Sequence, residues 1–147
     1  MIIRLKNKDT LIYDDFKFKC SIGKSGLKKN KIEGDKCTPI GTFSLGPVYY
    51  RSDRIAKPDT KLKTIKIYKK MGWCDDPDNT YYNKKIELNN TNKGEKFYRR
   101  DNIYDIVIVI NYNTKKIVKK KGSAIFIHIT TNYSPTRGCI ALSLNDI

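Results

Sequence analysis

The chain predicts a mainly β domain of twisted mixed β-sheets with one or two short helices. Two observations predict it. Segments in which apolar and polar residues alternate recur along the 147 residues, the period of a half-buried strand. No window sustains the 3.6-residue periodicity of an amphipathic helix. A third observation sets the scale: 39% hydrophobic residues in 147 suits one folded domain, residues 1–147, with a proper core.

The elements follow in order. Residues 2–5 and 11–13 pair as a short hairpin around the polar residues 6–9. Phe16, Phe18, Cys20 and Ile22 alternate with Lys17, Lys19 and Ser21, a half-buried strand with Cys20 on its apolar face. Residues 62–68 read as a strand. Residues 79–102 are Asn- and Lys-rich, a long excursion that would serve as a lid or a substrate wall. Residues 103–111 read as a central strand buried on both faces, from the run Ile106, Val107, Ile108, Val109, Ile110. Residues 115–121 form a basic turn, and residues 143–147 begin a capped helix.

The formal net charge is +15, from 30 Lys and Arg against 15 Asp and Glu. Such an excess attracts polyanions: nucleic acid, an anionic membrane surface or a cell-wall polymer. The basic residues are spread out and accompany no helix-turn-helix, zinc-finger or RNA-recognition signature, so nucleic acid is not the expected partner. No apolar run reaches the length of a membrane span. The start has no signal-peptide pattern, so the chain stays inside, leaves by another route, or lacks its leader.

Four cysteines (Cys20, Cys37, Cys74, Cys139) and one histidine, His128, complete the reactive inventory. With no C-x-x-C, a metal site would need unusual ligands, and neither metal nor cofactor is expected. Cys37 in a Lys-bearing loop is a second, weaker candidate for a reactive thiol. Tyr49, Tyr50, Arg51 and Arg54 could stack on sugar or base rings, or form the rim of a core.

Chemistry concentrates in residues 122–142, GSAIFIHITTNYSPTRGCIAL. From 124 to 130, Ile125, Ile127 and Ile129 share one face of a strand, which turns Phe126 and His128 to the other. After the turn-rich residues 131–135, Cys139 and Ala141 share a face opposite Ile140 and Leu142. Two strands joined by this loop would present His128 and Cys139 to one pocket. An imidazole that takes the thiol proton makes a thiolate–imidazolium pair. Gly138 allows the backbone N–H groups of Gly138 and Cys139 to approach a reacting carbonyl as an oxyanion hole. The competing reading is that a lone Cys and a lone His are structural, since free cysteines are usually buried.

The residues Ile127-His128 and Pro135-Thr136-Arg137-Gly138-Cys139-Ile140 resemble the signature of the L,D-transpeptidase catalytic domain, the YkuD family: a histidine upstream of Ser/Thr-x-Gly-Cys-Ile/Val. The form here is similar to the branch with GSAIF-x-His and Pro-Thr-x-Gly-Cys-Val/Ile-Ala-Leu. Ile129 and Ala141 stand where the common form has Gly and Arg, so no role of that arginine carries over. Residues 34–43, with Thr38, Pro39 and Gly41, resemble a family segment on strands near the cleft. Residues 72–77, with Trp73, and Tyr104-Asp105 resemble the same branch. The family's fold is a sandwich of mixed sheets; its further C-terminal helix and strand imply a chain truncated at its C-terminus.

The resemblance implies a cysteine-dependent L,D-transpeptidase acting on peptidoglycan stem peptides in the cell envelope or periplasm, inhibited by carbapenem-type compounds. Cys139 would be the nucleophile and His128 the acid/base. Arg137, Thr136 and Tyr133 are candidates for substrate binding; Asp105 is a candidate to orient His128, where a backbone carbonyl would serve as well. Thr38, Gly41 and Trp73 would support the site. The chain is expected to be monomeric. Two other classes stay open: an L,D-carboxypeptidase or other cysteine amide hydrolase, and a basic polyanion-binding domain with an inactive site.

Overall fold

The computed structural model describes residues 2–147. Thirteen strands form among them: β1 (Ile3–Leu5), β2 (Thr10–Tyr13), β3 (Phe16–Ser21), β4 (Leu27–Lys28), β5 (Thr38–Pro39), β6 (Leu45–Tyr50), β7 (Thr64–Lys66), β8 (Met71–Trp73), β9 (Lys85–Glu87), β10 (Glu95–Lys96), β11 (Ile106–Ile110), β12 (Phe126–Ile129) and β13 (Ile140–Leu142). The mainly β class stands. No helix forms among the described residues: residues 144–146 make a turn, in which the Ser143 hydroxyl donates to Asp146 Oδ2 at 2.6 Å.

Eight strands share one mixed sheet, in the order β1-β2-β3-β13-β12-β11-β6-β7. The hairpin expected at the N-terminus is β1 on β2, antiparallel, with Arg4 opposite Ile12. β11 is central, antiparallel to both β12 and β6. It starts at Ile106 rather than at 103, because Asp105 N–H closes a turn onto Asn102 O. β12 and β13 are parallel neighbours, with Ile127 opposite Ile140. The pair is therefore not the simple hairpin that a returning loop suggests; residues 130–139 carry the chain back to the same end of the sheet.

Alternation along these strands divides the core in two. Val107, Val109, Phe126 and Cys139 project from one face, onto Met71 and Trp73 of the three-stranded sheet β10-β8-β9 and onto Phe97. Ile110, Ile125, Ile127, Ile140 and Leu142 project from the other. There the curled N-terminal meander supplies Leu11, Cys20 and Ile22. A sheet covered on both faces needs apolar residues at both parities, which explains the unbroken run in β11. The polar excursion at 79–102 contributes β9 and β10 to the small sheet and forms one side of a cleft.

Candidate active site

His128 lies in β12 and Cys139 one residue before β13. The parallel register sets His128 opposite Ala141; carried back two residues, it sets Cys139 beside Phe126. The Phe126 N–H is directed at the sulfur. Two residues of strand separate the levels of Cys139 and His128, about 6.6 Å along the sheet. Both side chains leave the same face and line the same cleft, of about 1060 Å³.

The imidazole is set by its own strand. Nδ1–H donates to the Ile129 carbonyl at 2.9 Å, the one role open to a nitrogen facing a carbonyl oxygen, so Nε2 carries the lone pair. The Tyr104 ring packs edge-on against it, with centroids 5.3 Å apart. Burial lowers the His128 pKa, offset in part by the bond to Ile129 O. Burial also pushes the Cys139 thiol up to about 12, and that thiol donates to Ala124 O at 3.3 Å. Both shifts favour the uncharged forms. Burial thus works against the thiolate–imidazolium pair expected from the residues alone.

Two threonines hold the turn before Cys139. Thr136 Oγ1 accepts Gly138 N–H at 3.0 Å and donates to Cys139 O at 2.7 Å. Thr38 Oγ1 accepts Gly23 N–H at 2.9 Å and donates to Gly138 O at 2.8 Å. Of the two amides expected in an oxyanion hole, Gly138 N–H is thus engaged, and Cys139 N–H has no protein acceptor among the described residues. Gly138 is obligatory: its φ is +139°, and a Cβ would stand 2.8 Å from Cys37 O.

The cleft walls carry both signs of charge. Lys31, Glu33, Asp75 and Arg137 line it together with Glu95, Lys96, Arg99 and Asp101. Lys31 is buried and pairs with Asp35 at 2.6 Å. Partial burial would raise the Asp35 pKa, but the Ile32 and Cys37 amides and the Lys31 ammonium hold it down to about 2. Asp75 is raised by burial and by the Glu33 and Asp76 charges, against the pull of Arg137. No group of three or more His, Cys, Asp or Glu residues fit to hold a metal ion occurs among the described residues.

A family model described as the L,D-transpeptidase catalytic domain matches residues 2–147. The chain belongs to that family. No curated protein and no solved structure matches it.

Set against the L,D-transpeptidase motifs, the predicted residues divide. Cys139, His128, Thr136 and Arg137 line the cleft, and Thr38 reaches it through Gly138 O. Tyr133 does not line it; its ring lies under Lys19 Nζ, 4.4 Å from the centroid. Asp105 does not orient His128. It pairs with Arg54 at 3.0 Å, and the turn at 102–105 gives Tyr104, its neighbour, the place beside the imidazole. Gly41 is exposed, with the ring of Phe43 where a Cβ would stand. Trp73 is a core residue whose Nε1–H donates to Asn83 Oδ1 at 2.9 Å. The cluster at 49–54 is structural as well: Tyr49 and Tyr50 are buried, and Arg51 is clamped to Asp53. Cys37 is buried, its Sγ 3.6 Å from the carbonyls of Ser25 and Asp35.

Sequence reasoning missed Asn83 and Ala124. Asn83 Oδ1 accepts Ala124 N–H at 3.0 Å as well as the tryptophan, and its amide reaches Tyr112 O and Asn113 O. It ties the small sheet to the strand that leads to His128. Ala124 has a φ of +53°, which aims its carbonyl at Cys139. Nothing in an alanine announces that conformation.

Proposed function

We propose that the protein is an L,D-transpeptidase that acts on peptidoglycan stem peptides in the cell envelope, with Cys139 as nucleophile and His128 as acid/base. The observation that carries the reading is the shared cleft, in which the only histidine offers Nε2 to the same space as the cysteine of the family's Thr-x-Gly-Cys motif.

Because burial keeps both groups neutral, His128 acts as a general base rather than as half of a preformed ion pair. The thiol leaves Ala124 O and passes its proton to Nε2 as Sγ attacks the carbonyl of the L-centred residue before a terminal D-Ala. The tetrahedral oxygen takes its charge against the Cys139 N–H. The imidazolium returns the proton to the departing D-Ala amine as the C–N bond breaks, leaving a thioester. A side-chain amine of a second stem then attacks, gives its proton to Nε2, and expels the thiolate, which is reprotonated. Arg137, at the rim, suits a bidentate hold on a donor carboxylate. Arg137→Ala is expected to raise the donor KM; an unchanged KM removes that role.

Intact mass after incubation with a carbapenem tests the reading. A stoichiometric adduct on the wild type, absent from Cys139→Ala, is the expected result, followed by cross-linked product from disaccharide-tetrapeptide. Release of D-Ala without cross-linked product would make the protein a carboxypeptidase. A folded protein with no adduct would overturn the acyl-transfer reading.

A further inference from the structure

The segment at 36–38 runs against two glycines. A Cβ on Gly23 would lie 2.4 Å from Lys36 O and 2.9 Å from Thr38 N; one on Gly138 would lie 2.8 Å from Cys37 O. The chain passes Gly23 and Gly138 at a distance that no other residue type allows. Thr38 is 2% exposed, and Pro39 behind it keeps it extended. Its side chain bridges the two glycines, taking the N–H of Gly23 and giving its proton to the carbonyl of Gly138. A hydroxyl that both accepts and donates in a dry site has little freedom to turn.

Gly138 C=O and Cys139 N–H belong to one peptide plane and point in opposite directions. Whatever pins the carbonyl pins the amide. Thr136 holds the other faces of the same turn and occupies Gly138 N–H, which leaves the Cys139 amide as the donor without a partner among the described residues.

We infer that Thr38, 100 residues before Gly138, is the positioning residue of the oxyanion site: through Gly138 O it sets the direction of the Cys139 N–H. The inference rests on the proposed acyl transfer and adds to it one residue and a single-amide oxyanion donor. Thr38 touches no reacting atom, and its effect is confined to steps that pass through a tetrahedral oxyanion.

Two reactions of the same sulfur separate this role from a structural one. Carbapenem acylation forms the Sγ–C bond, opens the ring C–N bond and needs the oxyanion donor. Iodoacetamide alkylation forms a bond from Sγ to a CH₂ carbon and expels iodide, with the thiol proton lost to His128 or buffer; no oxyanion appears. For Thr38→Val, which keeps the shape and removes both hydrogen bonds, acylation should slow about 100-fold. Alkylation and its pH profile should match the wild type. Thr38→Ser should restore acylation.

Equal slowing of both reactions, or normal acylation in Thr38→Val, would overturn the inference while the wild-type adduct keeps the acyl-transfer reading in place. A wild type that is alkylated but never acylated overturns the function and this inference with it. If the valine variant does not fold, the wild type decides by NMR. The Cys139 amide proton should move downfield in the carbapenem adduct, and an unmoved resonance overturns the proposal.

Discussion

Cys139 and His128 each give up a charge to burial, and this makes the folded protein's stability depend on pH from both sides. The folded thiol titrates at about 12 against an ordinary 9.0, so between those values the unfolded chain has lost a proton that the folded one keeps. The native state then binds more protons, and stability falls as pH rises above 9. His128 does the reverse. Its folded pKa lies below 6.5, so the unfolded chain protonates first and stability falls as pH drops through that value. Thermal melts of Cys139→Ser should decline less between pH 9 and 11 than those of the wild type; identical slopes would remove the buried thiol as the cause. His128→Ala should slow carbapenem acylation by about 10²–10⁴-fold, read by mass against time.

At the scale of elements, the turn before β13 is where local rules and tertiary demand agree. Gly138→Ala puts a side chain at φ +139° and against Cys37 O, and should cost about 1–3 kcal/mol in urea denaturation. The turn before β11 is where they part. The apolar run alone continues the strand to Ile103, and the family resemblance makes Asp105 a candidate to orient His128. The bond from Asp105 N–H to Asn102 O ends that strand early, and the carboxylate goes to Arg54. Asp105→Asn should therefore lower stability by about 1 kcal/mol and leave the acylation rate unchanged. A large loss of rate without loss of stability would restore its role at the histidine.

For the whole molecule, the small sheet and the large one meet through aromatic side chains. Phe97 is fully buried, edge-on to Tyr49, Tyr104 and Phe126 and stacked on Trp73. The same excursion that brings Phe97 carries Glu95 and Arg99 to the cleft. Phe97→Ala should cost about 3–5 kcal/mol by denaturant unfolding, and it should slow acylation as the cleft wall loosens. Full activity in a destabilised variant would mean that the wall is not needed for chemistry.

The features legible in the residues alone are those that depend on local periodicity. The isoleucine face of β12 turned His128 to the opposite face, the alternation after Gly138 put Cys139 on the matching face, and the run in β11 marked the centre of the sheet. Motif spacing carried Cys139 and His128, because Gly138 and the Thr136 turn are short-range requirements. What crosses the chain emerged with the fold. It made β12 and β13 parallel, gave His128 a backbone carbonyl instead of Asp105, sent Tyr133 to Lys19, and brought Thr38 onto Gly138 O. These outcomes depend on which distant backbone groups end up opposite one another. Strand periodicity says which face a side chain takes and is silent about its partner there.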